Sequence, residues 1–204
     1  TKGSVLMNLQ ELVQEYIKIG YTDENASSKV CQDLILIAIA NSKYFHNITI
    51  KGGVVMHNLS NDMRRATRDL DLDFIKYSLE DGSIKSFISE LNKSIKDINF
   101  EIIDEIVPLH HQDYNGKRVL LKVKDKYNNE IDTKLDIGVH KLFELEQELY
   151  MFDFGIINLG ANLLINSPEQ IFTEKMKSLL KFNVRSTRYK DVFDFYYLID
   201  NKLL

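Results

Sequence analysis

At 204 residues, with 44% hydrophobic and 27% charged side chains, the chain is long enough to bury a full core, which excludes a disordered tail and a mini-protein. Its net charge of −4, from 26 basic and 30 acidic residues, excludes binding nucleic acid through overall charge, so any polyanion must meet a local patch. No apolar run approaches the roughly 20 residues that a membrane helix needs; the lone Cys31 can form no internal disulfide, and no basic-then-apolar leader opens the chain, so no membrane is expected and the cytoplasm is the expected compartment.

Leu9, Leu12, Val13, Tyr16 and Ile17 recur at helical spacing and stop at Gly20. A second helix is predicted after Thr22 or Asp23, carrying Val30, Leu34, Ile35, Ile37 and Ala38 toward a core, with Cys31 as packing. Asn47 to Lys51 reads as a short strand, and Gly52-Gly53 with Val54, Val55, Met56 and Leu59 as a tight turn opening a helix. Strict alternation over Leu70 to Lys76 predicts a half-buried strand, and Ser83 to Asp97 an amphipathic helix through Ile84, Phe87, Ile88, Leu91 and Ile95. Strands are predicted over Phe100 to Val107, Arg118 to Lys124 and Ile131 to Val139, the last two as a hairpin turning near Tyr127 to Glu130, and helix returns from Pro168 onward. A mixed sheet with crossover helices between helical flanks makes an α/β, or α+β, fold.

In the strand from Leu70, side chains alternate, so Asp69, Asp71 and Asp73 share one face while Leu70, Leu72 and Phe74 share the other. A row of carboxylates repels itself and needs water, arginine or a divalent cation; a hard cation such as Mg2+ takes one or two carboxylates together with substrate phosphate oxygens. The row fits either a metal site or a solvated polar face on an edge strand. In the run from Ile131, Asp132, Lys134 and Asp136 lie opposite Ile131, Leu135, Ile137 and Val139, so Asp136 joins the acidic cluster if the two strands are neighbours. Lys51-Gly52-Gly53 ends a strand and starts a helix, where free N–H groups and the helix dipole favour an anion.

The succession Lys51-Gly52-Gly53, Arg65-x-Thr67-x-Asp69-Leu70-Asp71, Leu135-Asp136-Ile137, Ser167-Pro168-Glu169 leading to Glu174-Lys175, and Arg188-x-Lys190-Asp191-x-x-Asp194 resembles the AbiEii/AbiGii toxin family within the DNA polymerase beta-like nucleotidyltransferase superfamily. The resemblance runs from about Lys51 to Leu198. It implies a polymerase beta-like nucleotidyltransferase domain with N-terminal helices over 1–45 packing on the core, a core over 46–140 and a C-terminal helical part over 141–204, together one compact unit. It implies Mg2+ held by Asp69, Asp71 and Asp136, and a nucleoside triphosphate bound by Lys51, Gly52, Gly53, Val54, Thr67, Arg68 and Lys175. It places Lys175 at the phosphates and gives Asp191 a role in orienting or activating the acceptor, so that Asp69, Asp71, Asp136, Lys175 and Asp191 form the catalytic set. Val54 departs from the Ser or Thr frequent at its position and leaves the loop to bind through backbone N–H groups.

On the wheel from Ile171 to Phe182, Lys175 falls within the apolar stripe, which fits either snorkelling or an anion in a cleft. Asp191 also suits a helix start, and Asp194 and Lys190 read equally as surface pairs. Lys175, Lys177, Lys181, Arg185, Arg188 and Lys190, with Arg64, Arg65 and Arg68, compose a basic rim for an RNA acceptor or an ordinary solvated face. Tyr189, Tyr196 and Tyr197 could stack on bases, although such spacing is more often core. His110-His111 with Asp113 lacks metal-ligand spacing, and His46, His57 and His140 are isolated. The resemblance implies a toxin of a toxin-antitoxin or abortive-infection system, with tRNA as acceptor and a cognate antitoxin as partner. The alternatives are transfer to a small molecule, as by aminoglycoside nucleotidyltransferases, or to a protein hydroxyl, and a non-catalytic nucleotide-binding module.

Overall fold

The computed structural model of the chain describes residues 8–109, 116–140, 146–182 and 189–204. Both N-terminal helices begin where the sequence supplies a cap. Asn8 Oδ1 accepts from the N–H groups of Gln10 and Glu11 to start α1 (Leu9–Lys18), and Thr22 Oγ1 accepts from Asn25 N to start α2 (Asp23–Ala40). After α1 the chain turns at Gly20, whose φ of +111° only glycine adopts readily. α1 buries Leu9, Leu12, Val13 and Tyr16 on one face, whereas α2 is buried all round from Lys29 to Ile39 and forms the middle of the core. Its two buried charges, Lys29 and Asp33, pair with each other, and the Tyr16 hydroxyl donates to Asp33, so neither is left unpartnered.

The remaining elements are β1 (Ile48–Lys51), α3 (Gly52–Ser60), β2 (Leu70–Phe74), α4 (Asp81–Ser94), β3 (Ile98–Ile102), β4 (Val107–Leu109), β5 (Gly116–Asp125), β6 (Glu130–Val139), β7 (Glu148–Phe154), β8 (Leu159–Ile165), α5 (Pro168–Phe182) and α6 (Tyr189–Asp200). The eight strands form one mixed sheet in the order β3-β5-β6-β2-β1-β8-β7, with β4 also alongside β5. At its centre β2 runs antiparallel to β1 and parallel to β6. α2 packs across β6 and β8, and α4 against β3 and α2, which gives the sheet a buried face of Ile50, Leu72, Phe74, Leu135 and Ile137.

Three differences from the sequence reading have local causes. The strand predicted to reach Lys76 stops at Phe74, because Lys76 takes a left-handed φ of +52° and turns the chain away. The run from Phe100 to Val107 divides into β3 and β4, since only its two ends pair with β5. The largest correction concerns the part grouped as helical from 141: residues 148–165 form the antiparallel pair β7 and β8, while the helix predicted from Pro168 does begin there. Phe152, Phe154, Ala161, Leu163 and Ile165 are buried at alternate positions of these strands, a period-two pattern that fits a sheet and not a helix.

Candidate functional site

Register brings the acidic residues together. In the parallel pairing of β2 with β6, Asp71 stands directly opposite Asp136, and in the antiparallel pairing with β1 it stands opposite Lys51. Asp69 lies immediately before β2, and its carboxylate meets Lys134 Nζ at 2.7 Å. Arg118 of β5 grips Asp136 with both arms of its fork, Nε to Oδ1 at 2.8 Å and Nη2 to Oδ2 at 2.7 Å. Asp73, the third member of the row, is inside β2, where it is buried against Lys51 at 2.6 Å. Burial pushes the Asp71 carboxyl up to about 6, with Asp136 and Asp69 adding to the effect and Lys51 and Lys175 opposing it.

The glycine turn is built against this carboxylate. Gly52 has a φ of +69°, and a Cβ placed there would lie 2.6 Å from Asp71 Oδ2; one placed on Gly53 would lie 2.7 Å from Thr67 Oγ1. Glycine at both positions therefore lets the start of α3 settle onto β2 and the loop before it. Lys51, the N-cap residue of α3, makes no side-chain cap, which leaves the first N–H groups of the helix without a side-chain acceptor there.

Lys51, Gly52, Asp71, Lys175 and Asp191, all expected at the site, line one cleft of about 160 Å³, together with Ile171, Glu174 and Ser178 of α5. The Lys175 ammonium is held at 2.8 Å by both Asp191 Oδ1 and Asp194 Oδ2. This explains how a lysine sits on an apolar stripe: its charge is neutralised where it is partly buried. Val54 and Thr67 flank the turn without lining the cleft. The Val54 side chain is in the hydrophobic core, and the Thr67 carbonyl accepts from Gln32 Nε2 at 2.9 Å. Arg68 pairs with Glu24 at the surface, away from the cleft lining. Tyr189 and Tyr196 are 82% and 66% exposed, so the core reading fails for them, while the Tyr197 hydroxyl turns inward to donate to Leu59 O at 2.6 Å. Lys190 also turns inward, donating to Ala66 O at 2.5 Å. Arg185, Arg188, His110, His111 and Asp113 lie outside the described residues.

Sequence reasoning passed over Glu174 as a site residue. Its Oε1 accepts from Asn166 Nδ2 at 3.3 Å and from Gln170 Nε2 at 3.1 Å, and Asn166 is itself tied to Thr49 Oγ1 at 3.0 Å, so a chain of buried amides from β1 fixes this carboxylate at the cleft. The one-turn spacing of Glu174 and Ser178 along α5 was the available signal. Asp69, Asp71 and Asp136 offer the oxygen donors that a hard cation takes. As the side chains stand, with Lys134 and Arg118 on the outer two, no group of three acidic, histidine or cysteine residues converges as a ready-made metal cage among the described residues.

Residues 34–204 match the family model described as nucleotidyl transferase AbiEii toxin, Type IV TA system. A comparison with curated proteins finds no relative. Among solved structures, the chain is similar to the antibiotic-resistance factor ANT(2'')-Ia at a TM-score of 0.49 and 14% identity, over 87% of this chain and 86% of that one. A likeness at that level bears on neither activity nor substrate.

Proposed function

The chain belongs to the nucleotidyl transferase AbiEii toxin family and is a nucleotidyltransferase; from that premise we propose that its cofactor is Mg2+, its acceptor an RNA with tRNA foremost, and its role a growth arrest relieved by a cognate antitoxin in the cytoplasm. The observation that supports the reading is Asp71, in register with Asp136 on the neighbouring strand and beside the Gly52 turn, in the cleft that Lys175 and Asp191 also line. Asp69, Asp71 and Asp136 would hold Mg2+, which would supply neutralisation of phosphate charge. The fit rests on Asp71, whose proton is retained up to about pH 6 by burial and by neighbouring carboxylates, a strain that a divalent cation relieves.

In the reaction, the acceptor oxygen bonds to the α-phosphorus, the bond from that phosphorus to the bridging oxygen breaks, pyrophosphate leaves, and the hydroxyl proton passes to a carboxylate or to solvent. The uncapped start of α3 receives phosphate oxygens through backbone N–H groups, and the lack of a Cβ at Gly52 permits the close approach. Lys175 meets the negative charge of the phosphates, and Asp191, which shares the cleft, orients the acceptor hydroxyl. An RNA acceptor is supported by the exposed rings of Tyr189 and Tyr196 on the helix that carries Asp191.

Incubation with Mg2+, each labelled nucleoside triphosphate and total tRNA tests the reading: label is expected on RNA, and Asp69→Ala is expected to abolish it. Label on protein, or on a small hydroxylated acceptor, would replace the RNA assignment. Normal nucleotide binding without any labelled acceptor would favour a non-catalytic binding module. Expression in a bacterium tests the biological role, and harmless wild-type expression would refute it.

A further inference from the structure

We propose that Arg65 and Asp194 are positioning residues that fix the Lys175 ammonium at the phosphate end of the cleft, an inference that rests on the nucleotidyl-transfer reading of that cleft. Lys175 is shared by two carboxylates of different character. Asp191 lines the cleft, whereas Asp194 is fully buried and does not. A ligand therefore competes with Asp191 for the ammonium from the open side, while Asp194 holds it from behind.

A fully buried carboxylate needs more than one shared lysine. Arg65, itself 4% exposed, supplies the remainder as a fork, with Nε on Asp194 Oδ1 and Nη2 on Oδ2 at 2.6 Å. Oδ2 thus receives both Arg65 and Lys175, and the four groups Arg65, Lys175, Asp191 and Asp194 balance in charge. The fork has a further consequence, because Arg65 ends the turn that leads through Thr67 to Asp69 and β2. Lys190 on Ala66 O and Gln32 on Thr67 O pin the same short segment. One buried ion pair thereby ties α6 and the lysine of α5 to the strand that carries the acidic row, and it fixes the spacing between the phosphate-facing cation and the carboxylates.

The test is a double-mutant cycle on the dissociation constant of the tightest-bound of the four ribonucleoside triphosphates, measured by calorimetry with Mg2+ on the whole chain. Asp194→Asn is expected to weaken binding about tenfold in the wild-type background and no more than about twofold in the Lys175→Ala background, because the carboxylate acts through that lysine. The paired replacement Arg65→Met with Asp194→Leu, which substitutes apolar packing for the buried pair, is expected to keep the melting temperature within a few degrees and still to lose about tenfold in affinity. Equal losses in both backgrounds, or wild-type affinity in the paired variant, would overturn the positioning role. Failure of the wild-type chain to bind any of the four triphosphates is a separate result: it would overturn the nucleotide reading and this inference with it.

Discussion

Replacing Gly52 by alanine tests the link between the glycine turn and the acidic strand. Two costs follow from the geometry. At a φ of +69° an L-residue is strained, by roughly 1–2 kcal/mol. The added Cβ would also stand 2.6 Å from Asp71 Oδ2, so the carboxylate must withdraw by about 0.8 Å to reach the 3.4 Å of ordinary contact. Asp71 has little room for that movement, with Asp136 opposite it on one neighbouring strand and Lys51 on the other. Overpacking of this kind costs about 1–3 kcal/mol, so the variant is expected to lose about 2–5 kcal/mol of stability in urea denaturation. Nucleotidyl transfer, assayed as label moved from a triphosphate, is expected to fall more than tenfold, since the carboxylate displaced is the one at the cleft. Gly52→Asn separates the two costs, because asparagine tolerates the left-handed region but brings the same Cβ. If Gly52→Asn were as stable and as active as the wild type, the close approach of the turn to Asp71 would not be what glycine is there to allow.

Asp73→Ala removes the carboxylate that the buried Lys51 ammonium meets at 2.6 Å and is expected to cost about 3–5 kcal/mol in the same denaturation assay, whereas a loss below about 1 kcal/mol would mean that water reaches the pair. Phe152→Ala opens the fully buried end of the β7 and β8 pair and is expected to cost about 3–5 kcal/mol; near-wild-type stability would show that this pair is not part of the core. Burial, reinforced by the Lys29 charge, pushes His57 down to about 4, while the unfolded chain protonates near 6.5. Between those values the unfolded state takes up a proton that the folded state refuses, so this stability is present above pH 6.5 and is lost as pH falls: about 2 kcal/mol between pH 7 and pH 5. His57→Gln is expected to remove that portion of the slope, and an unchanged pH dependence in the variant would locate the titration elsewhere.

What could be read in the sequence was whatever local periodicity or chain direction fixes. The caps at Asn8 and Thr22 and the all-apolar stretch of α2 act within a few residues, and the same holds for the glycine turn after β1. The alternation in β2 likewise assigned Leu70, Leu72 and Phe74 to the buried side. The β7 and β8 pair was missed because its inward residues, Phe152, Phe154, Leu163 and Ile165, are interleaved with the exposed apolar Met151 and with polar residues, which blurs a period of two. Arg65 with Asp194 was illegible for a different reason: the two are 129 positions apart, and nothing near either residue announces the other.

The acidic row shows how such distant pairings convert a motif into a site. Four aspartates on or just before two adjacent strands would repel one another, yet each outer member has found a cation: Asp69 has Lys134, Asp73 has Lys51 and Asp136 has Arg118. These three cations come from β6, β1 and β5, so the compensation is a property of strand order and not of any one segment. Asp71 is the member of the row that lines the cleft, and burial with the neighbouring carboxylates holds its proton up to about pH 6. The fold thus sets a cation against each outer carboxylate, while at Asp71, under the glycine turn, burial and the neighbouring carboxylates outweigh the nearby Lys51 and Lys175 charges. A cation brought in with a polyphosphate would favour the ionised Asp71 carboxylate that burial and its acidic neighbours disfavour.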